Sequence, residues 1–160
     1  MMAVAKASQE SLKQRLNVSG GHSLSGTLRV SGAKNSALVL MTASLLSSET
    51  IELINIPALT DIDGMSAILE SLGVQVSRGS DSIRLTASDL SGSAPPYELV
   101  NSLRASFFSI GPLLGRLGHA RVPLPGGCRI GARPVVEHIR GLKALGAIVN
   151  VEHGIVTASV

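Results

Sequence analysis

Residues 49–56 alternate, with Ile51, Leu53 and Ile54 as the apolar positions, and this predicts a strand. Pro57 ends it, because proline has no N–H to donate to a sheet ladder. Ile62, Met65, Ile68, Leu69 and Leu72 then recur at helical spacing, so a helix running to Leu72 has one apolar face. Thr60 or Asp61 can cap its start, and the pair Asp61 and Asp63 reads as capping rather than as paired acids. Gly73 suits the end of that helix. A strand around Val74 and Val76, a polar turn and a second strand over residues 82–88 follow. Upstream, residues 33–46 are mostly apolar and predict a buried helix, preceded by a strand over 27–30. The order is β-α-β-α-β-β.

The second half repeats the first. Leu69-Glu70-Ser71-Leu72-Gly73-Val74-Gln75-Val76 resembles Leu142-Lys143-Ala144-Leu145-Gly146-Ala147-Ile148-Val149, and the copies lie 71 to 73 residues apart. Internal repeats of this kind outrank single motifs as evidence of fold. Residues 97–117 predict a long apolar helix interrupted at Gly111-Pro112, residues 120–124 a strand, and residues 134–145 a helix with Val135, Ile139, Leu142 and Leu145 on one side. Two strands close the unit, and residues 89–96 are a Ser/Gly/Pro linker. The expected fold is α+β: two packed copies of one unit, about 24–90 and 95–160, within a domain over 16–160. Residues 1–15 read as a tail; their Ala, Ser, Lys and Gln would also suit a transit peptide, and a frayed helix is the preferred reading.

Composition narrows the function. The 160 residues are 44% apolar and 16% charged, enough for a core and too few charges for disorder. With two Phe, one Tyr and no Trp, the core must be aliphatic. The net charge of +3 is scattered singly, without the basic stripe of a nucleic-acid binder. One cysteine forms no internal disulfide, which fits a reducing, cytoplasmic setting. No apolar run approaches membrane-spanning length.

The chemistry gathers in three places. Cys128 lies in Pro125-Gly126-Gly127-Cys128-Arg129-Ile130-Gly131-Ala132-Arg133-Pro134. Glycines admit a ligand close to backbone N–H groups, and the arginines suit phosphate or carboxylate. Pro134 can open a helix whose N-terminus favours an anion. A buried cysteine beside a tight turn is the plain alternative, and the flanking residues favour an anion site with a reactive thiol. Second, Ser31-Gly32-Ala33-Lys34-Asn35-Ser36 joins a strand to a helix start. A lysine there is locally unfavourable unless something negative compensates it; otherwise it is a solvated loop lysine. Third, Arg104 interrupts an apolar helix and either faces an anion or lies on the outer surface. His22, His119 and His153 read as solvated turn residues, and His138 as facing away from Arg133. No set has zinc-ligand spacing.

Gly32-Ala33-Lys34-Asn35, Leu103-Arg104-Ala105-Ser106, Pro125-Gly126-Gly127-Cys128 and Gly131-Ala132-Arg133-Pro134 occur in that order. Together they resemble the enolpyruvyl transferases, from about Leu16 to the last residue. Asn35 and Cys128 favour the amino-sugar branch over the shikimate branch, which carries Lys-Ser and lacks the Cys loop. The resemblance implies transfer of enolpyruvyl from phosphoenolpyruvate to the 3′-hydroxyl of UDP-N-acetylglucosamine, in peptidoglycan precursor synthesis, with no metal or organic cofactor. It implies that Cys128 is the general acid, that Lys34, Asn35 and Arg133 hold phosphoenolpyruvate, and that Arg104, Arg133, Pro134, Val135, Val136 and Glu137 contact the sugar nucleotide. Val136 stands where many members have aspartate, and Phe108 where a Trp is common. Family members have two domains, each of three such units in an inside-out α/β barrel. The resemblance therefore implies a truncated barrel and a fragment without turnover, whose open edge invites self-association. A non-catalytic ligand- or partner-binding module is the competing expectation; nucleic acid and membrane are not expected partners.

Overall fold

The computed structural model describes residues 17–125 and 135–160. The elements are α1 (Lys34–Ala43), continued by a 3-10 turn over Ser44–Leu46, β1 (Thr50–Ile54), α2 (Thr60–Ser71), β2 (Gln75–Arg78) and β3 (Ser82–Thr86). The second half has α3 (Tyr97–Ser102), a 3-10 segment over Arg104–Ser109, α4 (Ile110–Leu117), β4 (His119–Pro123), α5 (Val136–Ala144), β5 (Ile148–Glu152) and β6 (Ile155–Ser159). Two three-stranded antiparallel sheets result, in the orders β1-β3-β2 and β4-β6-β5.

The repeat holds down to register. Gln75 faces Thr86 in the first sheet, and Ile148 faces Ser159 in the second. Thr50 faces Thr86, and His119 faces Ser159. Each unit also ends its helix in the same way. Gly73 and Gly146 adopt φ of +97° and +98°. Gly73 donates to the Glu70 carbonyl and Val74 to that of Leu69, while Gly146 donates to Lys143 and Ala147 to Leu142. This is the paired hydrogen-bond closure of a helix C-terminus, and its left-handed residue favours glycine.

One apolar core runs through both units. Ile62, Met65, Ile68, Leu69 and Leu72, the predicted α2 face, are all 0% exposed. They meet α1, which supplies Leu38 and Met41, and the inward residues Ile83 and Leu85 of β3. The core is aliphatic as composition requires, with Phe107 the aromatic in it. Buried hydroxyls find nearby backbone carbonyls: Ser66 donates to that of Ile62 at 2.9 Å, Ser109 to that of Ser106 at 2.7 Å, and Ser106 to that of Val100 in α3 at 3.4 Å. Among the described residues no buried side-chain nitrogen or oxygen lacks a partner, as a stable interior demands. Across the units, Arg116 of α4 donates to the carbonyls of Leu45 (3.0 Å), Ser47 (2.9 Å) and Ser88 (3.5 Å).

Several sequence expectations are corrected. Residues 27–30 form no strand. Leu28 and Val30 are 87% and 77% exposed, because neither described sheet runs alongside them. The stretch 97–117 breaks at Leu103, whose φ and ψ of −131° and 110° are extended, and not at Gly111-Pro112. Pro112 falls in the first turn of α4, where a missing N–H costs no helical bond. Neither Thr60 nor Asp61 caps α2; Leu59 holds that position, without a side-chain hydrogen bond. On α5, Ile139 and Leu142 are only half-buried and Leu145 is exposed. The helix packs chiefly on β5, whereas α2 is covered by α1 and α3 as well.

Candidate active site

A cavity of about 530 Å³ opens where the starts of α1 and α2 approach the segment after α3. Lys34 is the first residue of α1 and lines it with Asn35. Close packing one step earlier sets its position: Gly32 donates to Asn55 Oδ1 at 3.1 Å, and a Cβ on Gly32 would overlap the Asn55 carbonyl oxygen. Asn55 itself takes a left-handed φ of 58°, a conformation that short polar side chains tolerate. The extended residue Leu103 turns the chain so that Arg104 begins the 3-10 segment and also lines the cavity. Arg104 makes further interactions of its own.

The cations are not unopposed. Lys34 Nζ lies 2.6 Å from Asp61 Oδ2, a carboxylate in the first turn of α2 that also lines the cavity. The two side chains are 45% and 35% exposed, so the pair contributes no more than about 1 kcal/mol to stability. Aromatic rings also line the cavity. The His138 ring meets Phe107 edge-on at 5.7 Å between centroids, and Phe108 at 6.1 Å and 48°. Such contacts help to hold the start of α5 against the 3-10 segment. Pro125 and Val135 line the cavity as well, and residues 126–134 join them in sequence.

Of the residues singled out from sequence, the structure brings Lys34, Asn35, Arg104 and Val135 to one cavity. Val136 and Glu137 are not among its lining; Val136 is exposed and Glu137 pairs with Arg140 at 2.6 Å. Cys128, Arg129, Arg133 and Pro134 lie outside the described residues. Sequence reasoning missed Asp61 and His138. His138 follows Val135 by three positions, which on a helix is the same face, and that spacing could have found it. Asp61 had a fainter signal: a lysine opening a helix needs a compensating negative charge. Among the described residues no group of three or more His, Cys, Asp or Glu could hold a metal. No helix among them is long and apolar enough to cross a membrane.

Paired antiparallel α/β units around a cavity with a lysine at a helix start define a class, and comparisons with known proteins identify it. The family model for EPSP synthase (3-phosphoshikimate 1-carboxyvinyltransferase) matches residues 18–160, and the chain belongs to that family, the enolpyruvyl transferases. The UDP-N-acetylglucosamine 1-carboxyvinyltransferase of Synechococcus sp. (strain CC9605) is 91% identical over 160 residues, covering 100% of this chain and 37% of that protein. That of Prochlorococcus marinus (strain MIT 9313) is 69% identical over the same shares. That of Gloeobacter violaceus is 60% identical over 144 residues, 89% of this chain and 31% of the relative. The chain thus spans about a third of these relatives' length. The crystal structure of the enolpyruvyl transferase NikO from Streptomyces tendae matches with a TM-score of 0.72 at 22% identity, over 88% of this chain and 31% of that one. This likeness establishes the shared α+β fold.

Proposed function

We propose that this chain carries part of the active site for enolpyruvyl transfer from phosphoenolpyruvate to UDP-N-acetylglucosamine, a cytoplasmic step of peptidoglycan precursor synthesis. The sugar 3′-hydroxyl oxygen adds to C2 of phosphoenolpyruvate, its proton passing to a base, while the C3 methylene takes up a proton. The C2–O bond to phosphate then breaks, a proton leaves C3, and inorganic phosphate departs from the enol ether. Lys34, Asn35 and Arg133 would hold the phosphate, with the cations stabilising its charge as it leaves. Cys128 would protonate C3. Arg104, Arg133, Pro134 and Val135 would meet the sugar nucleotide.

The observation that carries this reading is the cavity that gathers Lys34, Asn35 and Arg104 with both residues flanking 126–134. The amino-sugar substrate, rather than the shikimate one named in the family description, rests on relatives 60% to 91% identical that are named for UDP-N-acetylglucosamine. The exposure of Lys34 means that this cavity does not exclude water, as group transfer requires.

Titration of the 160-residue chain with each substrate, followed by amide chemical shifts, tests the reading. Lys34→Ala is expected to weaken phosphoenolpyruvate at least about tenfold, the scale of one charge-assisted hydrogen bond. Arg104→Ala should act mainly on UDP-N-acetylglucosamine. Phosphate release from the chain given both substrates should stay near background. Binding indifferent to both substitutions would refute the site, and ordinary turnover abolished by Cys128→Ala would refute its incompleteness.

A further inference from the structure

The Lys34–Asp61 pair is asymmetric. Lys34 opens α1, whose first turn carries no acidic residue and whose N-cap makes no side-chain hydrogen bond. A cation is disfavoured there, because the exposed N–H groups already concentrate positive charge. Asp61 lies in the first turn of α2, likewise without a side-chain cap, where a carboxylate is favoured whether or not a lysine is near. Lys34 therefore depends on a negative partner, and Asp61 has an alternative one in its own helix. Both side chains line the cavity, and both keep enough exposure to exchange partners with solvent or ligand.

We propose that Asp61 is the resident counter-ion of this cavity: it neutralises Lys34 in the empty protein, and the phosphate group of the ligand displaces it. Asp61 thereby sets phosphate affinity as an internal competitor. On release it stays at the start of α2, so the exchange forfeits one half-exposed ion pair and little else. This inference rests on the reading of the cavity as a phosphate site. Asp63 provides the internal control, since it belongs to the same turn but pairs with Arg78 and does not line the cavity.

The test is titration with inorganic phosphate at low ionic strength. Asp61→Asn is expected to bind about three- to tenfold more tightly than the parent, as loss of a half-exposed competing charge implies. The gain should shrink as salt is added, Asp63→Asn should leave affinity unchanged, and in a Lys34→Ala background Asp61→Asn should gain much less. Asp61→Ser, which keeps a polar group in the first turn of α2, makes the same test if the amide variant does not fold. If Lys34→Ala weakens phosphate while Asp61→Asn leaves it unchanged, the competitor role fails and the anion site stands. Weaker binding by Asp61→Asn would mean that Asp61 orients the amine, which also overturns the proposal. If the parent binds no phosphate, or binds it as well as Lys34→Ala does, the anion site itself fails.

Discussion

A single side chain was legible from sequence when its chemistry jarred with its local setting. Lys34 opens a helix, and Arg104 interrupts an apolar stretch, and both line the cavity. Asp61 and His138 violate nothing locally. Their roles depend on α2 meeting α1 and on α5 meeting the segment over Arg104–Ser109, approaches that no local pattern encodes. Cys128 lies outside the described residues, and its reading rests on Arg129 and Arg133 flanking it in sequence. Nearby guanidinium groups favour the thiolate, the reacting form. A small neutral alkylating reagent, followed by intact mass, should therefore label Cys128 several-fold faster at neutral pH than a simple thiol. Arg133→Ala should remove most of that advantage; an unchanged rate would mean that Arg133 does not activate the thiol.

Elements were legible where burial is one-sided and complete. The α2 face was read from spacing alone, because every residue on it reaches the core. The break at Leu103 was not, because the extended residue is a leucine rather than a glycine or proline. The strand over 27–30 failed for the opposite reason: its alternation is real, but a strand also needs a neighbour. The equivalent helix ends at Gly73 and Gly146 make a paired test. A Cβ on Gly146 meets nothing within 4 Å, whereas on Gly73 it would lie 2.6 Å from the Asp89 carbonyl oxygen. Gly146→Ala should cost only the left-handed strain, about 1–2 kcal/mol. Gly73→Ala should cost visibly more, because Asp89 and Ser91 must move aside. Equal losses in urea unfolding would show that the linker yields freely.

At the scale of the molecule, the two units share a register but not a setting. The second unit leaves Leu145 and Ile148 85% and 68% exposed, where Leu72 of the first unit is 0% exposed. The isolated chain is expected to self-associate through this face, as clustered exposed apolar side chains do. Leu145→Lys should suppress that association in sedimentation velocity with little change in thermal midpoint. A parent monomeric at high concentration would contradict it. Arg116 carries a different consequence. Its guanidinium reaches from α4 to three carbonyls of the first unit, and the same apolar core passes beneath both sheets. Neither half can then melt alone without breaking charge-assisted bonds and exposing core that the other half covers. Despite its visible duplication, the chain is therefore expected to unfold as one cooperative unit, with amides in the central strands β3 and β6 opening together in native-state hydrogen exchange; separate opening of the two strands would contradict it.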